Sequence, residues 1–181
     1  MTATIARWTI DDYHAMIEAG LLVERRVELL NGLIVEMSPE GPDHADLSTD
    51  ALEHFMSAAN GRYRVRPAKP ITITDNNSEP EPDIALVKPQ SYRKFHPTPD
   101  DVYLIIEFSR TSLIKDTEDK RQTYAAAGIT DYWVVNLREG YLIVYCNPSG
   151  GNYQSEQRLT SGTVSPLAFL DLTLDVETLL P

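Results

Sequence analysis

Two carboxylates in this chain stand at the ends of apolar runs, and a lysine follows the second of them. Asp83 precedes the apolar residues 84–87, and Glu107 comes directly after the apolar residues 102–106. A carboxylate at the end of a buried strand needs a partner, because its desolvation is costly. Two such carboxylates on neighbouring strands would also repel each other unless a cation lay between them. A divalent metal is the partner that we expect, and Lys120 would complete a site able to cut a phosphodiester.

The predicted metal is magnesium, with manganese as a substitute. Magnesium prefers oxygen ligands and keeps several waters, so one or two carboxylates are enough to bind it. Asp83 and Glu107 would supply these oxygens, and the main-chain carbonyl of Phe108 is a candidate third ligand. An antiparallel pairing of their strands would bring both carboxylates to the same end of a sheet. Asp83 could instead be a turn residue after Pro82, whereas the apolar run before Glu107 argues against a solvated surface position.

Lys120 and Glu28 are further catalytic candidates. Lys120 could act as a base that orients the attacking water, or stabilise negative charge in the transition state. Its alternative role is an ordinary helix pair with Asp116, which would stabilise the helix by only about 0.3–0.5 kcal/mol. Glu28 could act as an auxiliary acid. Alternation points its side chain opposite to those of its neighbours, so it could equally lie on the exposed face of an antiparallel strand.

The spacing of apolar residues and turn signals predicts a mixed sheet with helices on its faces. Asn31-Gly32 between two short apolar runs is typical of a type I′ hairpin turn. Residues 102–136 have the pattern of a strand, a helix and a second strand, which favours a parallel crossover. We therefore predict an α/β fold with antiparallel hairpins. The predicted helices cover 9–17, 44–59 and 116–127, and the predicted strands cover 27–30, 33–37, 63–66, 71–74, 83–87, 102–108, 132–136, 141–146 and 152–159.

Seven short motifs follow one another along the chain. They are Val27-Glu28-Leu29-Leu30-Asn31-Gly32, Met37-Ser38-Pro39 with His44, Glu81-Pro82-Asp83, Ile106-Glu107-Phe108-Ser109, Asp116-Thr117-Glu118-Asp119-Lys120, Tyr124-Ala125-Ala126-Ala127-Gly128-Ile129, and Asp131-Tyr132-Trp133-Val134-Val135. In order and spacing they resemble the Uma-two family of predicted endonucleases, within the PD-(D/E)XK nuclease superfamily. The resemblance extends from Val27 to Tyr145.

This resemblance implies a restriction-endonuclease-like fold, a metal-dependent nuclease site that uses Asp83 and Glu107, and DNA as the substrate. Superfamily members commonly carry their lysine two residues after the second carboxylate, where this chain has Ser109. The Uma-two family, which this chain resembles, has its lysine on the following helix, and Lys120 matches that position. His44 would lie near the site by the same resemblance, although a helix cap or a surface position is an alternative for it.

The charge distribution favours one local contact with nucleic acid. The chain has a formal net charge of −11, whereas general nucleic-acid binders are basic. Residues 62–94 are the exception, with seven basic and four acidic side chains. Arg93 and Lys94, in a Pro-rich loop, are the predicted DNA contacts, and Arg121 and His44 are further candidates. Binding through such a patch would be weak and strongly dependent on salt.

Length and composition predict a single domain that spans residues 1–181. The hydrophobic content of 42% is ordinary for a globular protein, and the four histidines and one cysteine lack the spacing of a zinc site. The longest apolar run is too short to cross a bilayer, and the N-terminus lacks a signal peptide. The single cysteine, Cys146, excludes an internal disulfide, so we expect a cytoplasmic protein.

Two questions stay open at the level of the sequence. The protein could be a nuclease-fold module that binds nucleic acid or a protein partner without cutting, and its negative charge favours this alternative. A homodimer is also plausible, because two active sites are convenient for cutting both strands of a duplex.

Overall fold

A six-stranded mixed β-sheet forms the centre of the computed structural model, which describes residues 4–181. The elements in chain order are α1 (Ile10–Glu18), β1 (Val27–Leu30), β2 (Leu33–Glu36), α2 (Pro42–Ala58), β3 (Arg64–Pro67), β4 (Ile84–Val87), β5 (Val102–Ser109), α3 (Arg121–Ala126), β6 (Asp131–Asn136), β7 (Tyr141–Ser149), β8 (Asn152–Leu159), β9 (Thr163–Val164) and β10 (Leu174–Asp175). The central sheet has the order β3-β4-β5-β6-β7-β8. Separate two-stranded sheets are formed by β1 with β2 and by β9 with β10.

The register of the central sheet positions the two predicted carboxylates. Strands β4 and β5 are antiparallel, and Ile84 is opposite Ile106, so Asp83 and Glu107 follow at the same end of this pair. Strands β5 and β6 are parallel, and the segment between them contains α3, as the predicted crossover requires. The other neighbouring strands pair antiparallel. The predicted α/β fold with a mixed sheet and antiparallel hairpins is therefore confirmed.

Alternating side chains of the central strands build a hydrophobic core on each face of the sheet. On one face, Phe55 of α2 packs with Trp133 of β6, at a ring-centroid distance of 6.4 Å. On the other face, Tyr124 of α3 packs edge-on against Tyr132 of β6, at 5.0 Å. Helices α2 and α3 thus cover opposite faces, and Glu107 points to the face that α3 covers, in step with Ile105.

Two local signals of the sequence are confirmed, namely the cap at the start of α1 and the turn between β1 and β2. Thr9 caps α1, and its hydroxyl accepts the N–H of Asp12 at 3.1 Å. Asn31 and Gly32 connect β1 to β2 with φ values of 50° and 75°, the left-handed conformation that a type I′ turn needs. Cys146 is buried within β7, as expected for a small hydrophobic residue.

One predicted strand is wrong, and one predicted helix differs in its helical type. Residues 71–74 do not form a strand; Ile73 makes one isolated bridge with Ser78, and a 3-10 turn covers Thr74–Asn76. The alternation of this segment reflects the burial of Ile71 and Ile73 in the hydrophobic core, while the backbone forms a loop in which the N–H of Ile71 donates to the carbonyl of Pro80. The predicted helix 116–127 is also irregular, because it begins with a π-helical segment, Lys115–Lys120, before α3.

Helix α2 starts at Pro42, two residues before the predicted start, because proline suits the first turn of a helix. In the part of the chain from residue 4 onward, no helix combines the length and the apolar character that crossing a membrane requires.

Candidate active site

A cavity of about 180 Å³ lies at the end of the central sheet where Asp83 and Glu107 stand. Both carboxylates line it, together with Lys115 and Lys120 from the π-helical segment. The cavity is therefore built by strand ends on one side and by the start of the crossover helix on the other. This arrangement brings together three of the residues that the sequence predicts for catalysis.

Asp83 is held by a main-chain group and by a histidine. Its Oδ2 accepts the N–H of Phe108 at 2.7 Å and lies 3.1 Å from Nε2 of His44, which donates to it. Burial alone would lower the pKa of His44, but the bond to Asp83 and the nearby carboxylates raise it above its ordinary value. His44 also packs edge-on against the ring of Phe108. The residue thus contacts the site, and it is not an isolated surface or cap histidine.

Glu107 and Lys120 form an ion pair inside the protein. Nζ of Lys120 donates to Oε1 of Glu107 at 2.8 Å, and the same oxygen accepts the hydroxyl of Tyr124 at 3.2 Å. Only 3% of the Lys120 side chain and 5% of the Glu107 side chain are exposed. The alternative pair of Lys120 with Asp116 is not among the ion pairs of residues 4–181. Lys120 is therefore buried, whereas this alternative required a solvated position on the surface of the helix.

Glu28 lies under this pair and contacts two lysines. Its Oε2 is 3.1 Å from Nζ of Lys120, and its Oε1 accepts a bond of 2.8 Å from Nζ of Lys115. Its Oε2 also accepts the N–H of Glu81 at 3.1 Å. The side chain is fully buried, so the alternative of an exposed polar face is wrong for this residue. Strand β1 packs inward, and its hairpin carries Glu28 to the base of the site.

The charges of the site respond to burial and to one another. Burial would raise the pKa of Glu28, but Lys120 and Lys115 lower it below its ordinary value. Burial would lower the pKa of Lys120, yet Glu107 and Glu28 raise it well above its ordinary value, so the ammonium keeps its proton. Burial raises the pKa of Glu107 well above its ordinary value, and the carboxylates of Asp116 and Asp83 add to this effect against the opposing lysine.

Asp116 belongs to a separate hydrogen-bond network at the edge of the cavity. Its Oδ2 accepts the hydroxyls of Ser109 and Ser112, the latter at 2.6 Å. Its main-chain carbonyl accepts the hydroxyl of Tyr132 at 2.9 Å. Ser109, which occupies the position where the superfamily commonly has its lysine, therefore anchors the first turn of the π-helical segment. This contact helps to orient the segment that carries Lys120.

Three predicted nucleic-acid contacts lie outside the cavity. Arg93 and Lys94 line a different cavity, beside His96. Nε of Arg121 donates to the carbonyl of Thr117 at 2.8 Å, and its guanidinium lies over the ring of Tyr145. The structure therefore does not bring these side chains to Asp83 and Glu107.

Other cations line the cavity at Asp83 and Glu107 instead, and the sequence reasoning missed them. They are Arg26, Arg110 and Lys115, which come from three separate segments of the chain. Arg26 bonds to Glu40 and Arg110 bonds to Asp43. No local spacing links these segments, although the position of Lys115 five residues before Lys120 is visible in the sequence.

The donor atoms at the cavity fit a magnesium ion. Oδ1 of Asp83 and Oε2 of Glu107 take no part in the hydrogen bonds described above, which use the other oxygen of each carboxylate. Within residues 4–181, no three His, Cys, Asp or Glu side chains are grouped so that they could hold a metal. Magnesium does not require a third side chain, because waters and a main-chain carbonyl can complete its octahedron. Two carboxylates and the carbonyl of Phe108 would therefore suffice.

The six-stranded mixed sheet with helices on both faces has the architecture expected of a restriction-endonuclease-like fold, and it carries Asp83, Glu107 and Lys120 at one end. Residues 10–177 match the Uma2 family, which is described as "Putative restriction endonuclease". The chain therefore belongs to this family.

A crystal structure of "a putative nuclease belonging to DUF820" from Anabaena variabilis has the same fold. It superimposes with a TM-score of 0.72 at 16% sequence identity, over 94% of this chain and 97% of that chain. At this level of identity the likeness concerns the fold alone. No curated protein matches this chain with significant similarity.

Proposed function

We propose that this protein is a divalent-metal-dependent endonuclease that hydrolyses phosphodiester bonds of DNA in the cavity at Asp83 and Glu107. The observation that carries this proposal is the buried ammonium of Lys120, bonded to Glu107 beside the cavity that Asp83 also lines. A buried charge of this kind is costly, and ionisable groups with strongly perturbed pKa values cluster at functional sites. Membership of the Uma2 family supports the same activity.

Asp83, Glu107 and the carbonyl of Phe108 would hold the metal. When bound, a magnesium or manganese ion would lower the pKa of a coordinated water and neutralise charge on the scissile phosphate. The protein's own groups have separate tasks. His44 and the N–H of Phe108 orient the carboxylate of Asp83, and Tyr124 orients that of Glu107.

Lys120 would act as an electrostatic group in this mechanism and not as a base. Its raised pKa means that it holds its proton and its positive charge across the physiological range. A fixed ammonium in a site shielded from water stabilises negative charge that develops in the transition state. Glu28, which is buried beneath it, would position Lys120 without touching the substrate.

The experiment that tests the proposal is cleavage of plasmid and branched DNA with magnesium, with manganese, and with a chelator. We expect cleavage with either metal, none with the chelator, and none with Glu107→Gln. DNA binding without cleavage under every metal condition would instead favour a nuclease-fold module that does not cut.

Location and assembly extend this proposal. We propose a cytoplasmic protein, because its free thiol Cys146 fits a reducing compartment. We also propose a homodimer, which would offer one cavity to each strand of a duplex. Light scattering of the purified protein, alone and with DNA, checks the second point.

A further inference from the structure

Two lysines on the π-helical segment share one buried carboxylate. Lys115 and Lys120 lie 2.8 Å and 3.1 Å from the two oxygens of Glu28. In an α-helix, residues five positions apart differ in direction by about 140°, because one turn takes 3.6 residues. A π-helix closes its turn between residues i and i+5, so residues five apart lie on the same face. The π-helical geometry of Lys115–Lys120 thus explains how both lysines reach Glu28.

The two lysines differ in their exposure and in their number of partners. The side chain of Lys120 is 3% exposed and also bonds to Glu107. The side chain of Lys115 is 21% exposed, lines the cavity, and has only Glu28 as an ion-pair partner among residues 4–181. One carboxylate therefore serves two ammonium groups, and Lys115 is the one of the pair that solvent reaches.

The arginines at the cavity are held less firmly than Lys115. Arg26 bonds to Glu40 at 2.9 Å, and Arg110 bonds to Asp43. Both arginines are solvated in these pairs, with 57% of the Arg26 side chain and 56% of the Arg110 side chain exposed, whereas the partner of Lys115 is fully buried. Lys115 is thus a solvent-accessible cation of the cavity that a fully buried carboxylate holds in place.

We infer that Lys115 binds a phosphate group in the cavity and forms, next to the two carboxylates, an anion subsite held in place by Glu28. The inference rests on the proposed function for the source of the phosphate, which would be the DNA backbone next to the scissile bond. Lys115 would then be a substrate-binding residue, whereas Lys120 stabilises charge at the reacting group. The π-helical segment would serve to bring both ammonium groups into contact with the single carboxylate of Glu28.

The first test uses inorganic phosphate as the probe, in the presence of a chelator and at constant ionic strength. We expect millimolar phosphate to raise the melting temperature of the wild-type protein, because a ligand that binds only the folded state stabilises it. Lys115→Met should lose this increment and Lys115→Arg should keep it. Lys88→Met is the matched control, because Lys88 pairs with Asp101 outside the cavity.

Folding of the variants is checked by urea denaturation, and Lys115→Gln, which can still donate a hydrogen bond, replaces Lys115→Met if the latter does not fold. A phosphate increment of equal size in the wild type and in the neutral variant would overturn the inference. The absence of any increment in the wild type would overturn it as well. Because no DNA is present, these outcomes are independent of whether the protein cuts DNA.

The second test asks whether the phosphate belongs to DNA. The affinity for a short duplex is measured against salt concentration in the chelator. Loss of one phosphate contact should reduce the slope of log K against log salt by about 0.9 in Lys115→Met, and Lys88→Met should keep the wild-type slope. An unchanged slope together with a lost phosphate increment would retain the anion subsite and reject DNA as its ligand.

Discussion

Removal of the charge of Lys120 is the change that tests the site most directly. Lys120→Met keeps most of the apolar stem and deletes the ammonium group. If Lys120 were in an exposed pair, the cost would be about 1 kcal/mol or less. The structure leads to a larger value, because the side chain is 3% exposed and its partner Glu107 is 5% exposed. Removing one member of a buried pair costs about 3–5 kcal/mol, since the other charge stays buried without compensation.

The cost should depend on pH in a defined direction. Burial raises the pKa of Glu107 well above its ordinary value, and loss of the opposing lysine can only raise it further. A carboxyl group whose pKa is raised in the folded state favours folding fully below its ordinary pKa, and this contribution is lost as the pH rises. The destabilisation by Lys120→Met should therefore be smallest near the ordinary pKa of a glutamate and should grow as the pH rises.

Urea denaturation at several pH values measures this effect. Lys88→Met is the control, because Lys88 lies 3.8 Å from Asp101 and is 45% exposed, and we expect it to cost about 1 kcal/mol or less. The double variant Glu107→Gln, Lys120→Met should recover most of the lost stability, since both buried charges are removed. It should still be inactive, and Lys120→Met alone should lower turnover by roughly two orders of magnitude. If Lys120→Met were as stable as the control at about pH 8, the buried ion pair would be refuted.

Three further predictions concern other parts of the molecule. Magnesium or manganese should raise the melting temperature of the wild type and not that of Asp83→Asn, and an equal increment in both proteins would remove Asp83 from the metal site. Asp131 is fully buried, and burial raises its pKa to about 6. Its contribution to stability should thus fall by about 3 kcal/mol as the pH rises from about 4 to above 6. Chemical denaturation at several pH values should show this fall in the wild type and not in Asp131→Asn. Replacement of Arg93 and Lys94 by alanine should flatten the salt dependence of DNA binding if the cavity that they line is a second contact with DNA. An unchanged slope of log K against log salt would mean that these side chains are only solvated.

Much of the fold could be predicted because it follows from local patterns. The Asn31-Gly32 turn and the strand–helix–strand unit both depend on residues close together in the chain, and both are found in the structure. The prediction of a strand at residues 71–74 is wrong because alternation indicates burial and not strand pairing, and a loop can bury alternate side chains as well. The π-helical segment was missed, because a single extra residue in a turn leaves the apolar pattern almost unchanged.

The sequence by itself determined that Asp83 and Glu107 flank two apolar runs, so that an antiparallel pairing of these runs would bring both carboxylates to one end of a sheet. It also indicated that Lys120 lies on the helix that follows. Only the tertiary structure decided which charges neutralise one another. Lys115 and Glu28 are 87 positions apart in the chain, and His44 and Asp83 are 39 apart. Such pairs arise because packing excludes water from charged groups, which must then find a partner among residues that no local spacing connects.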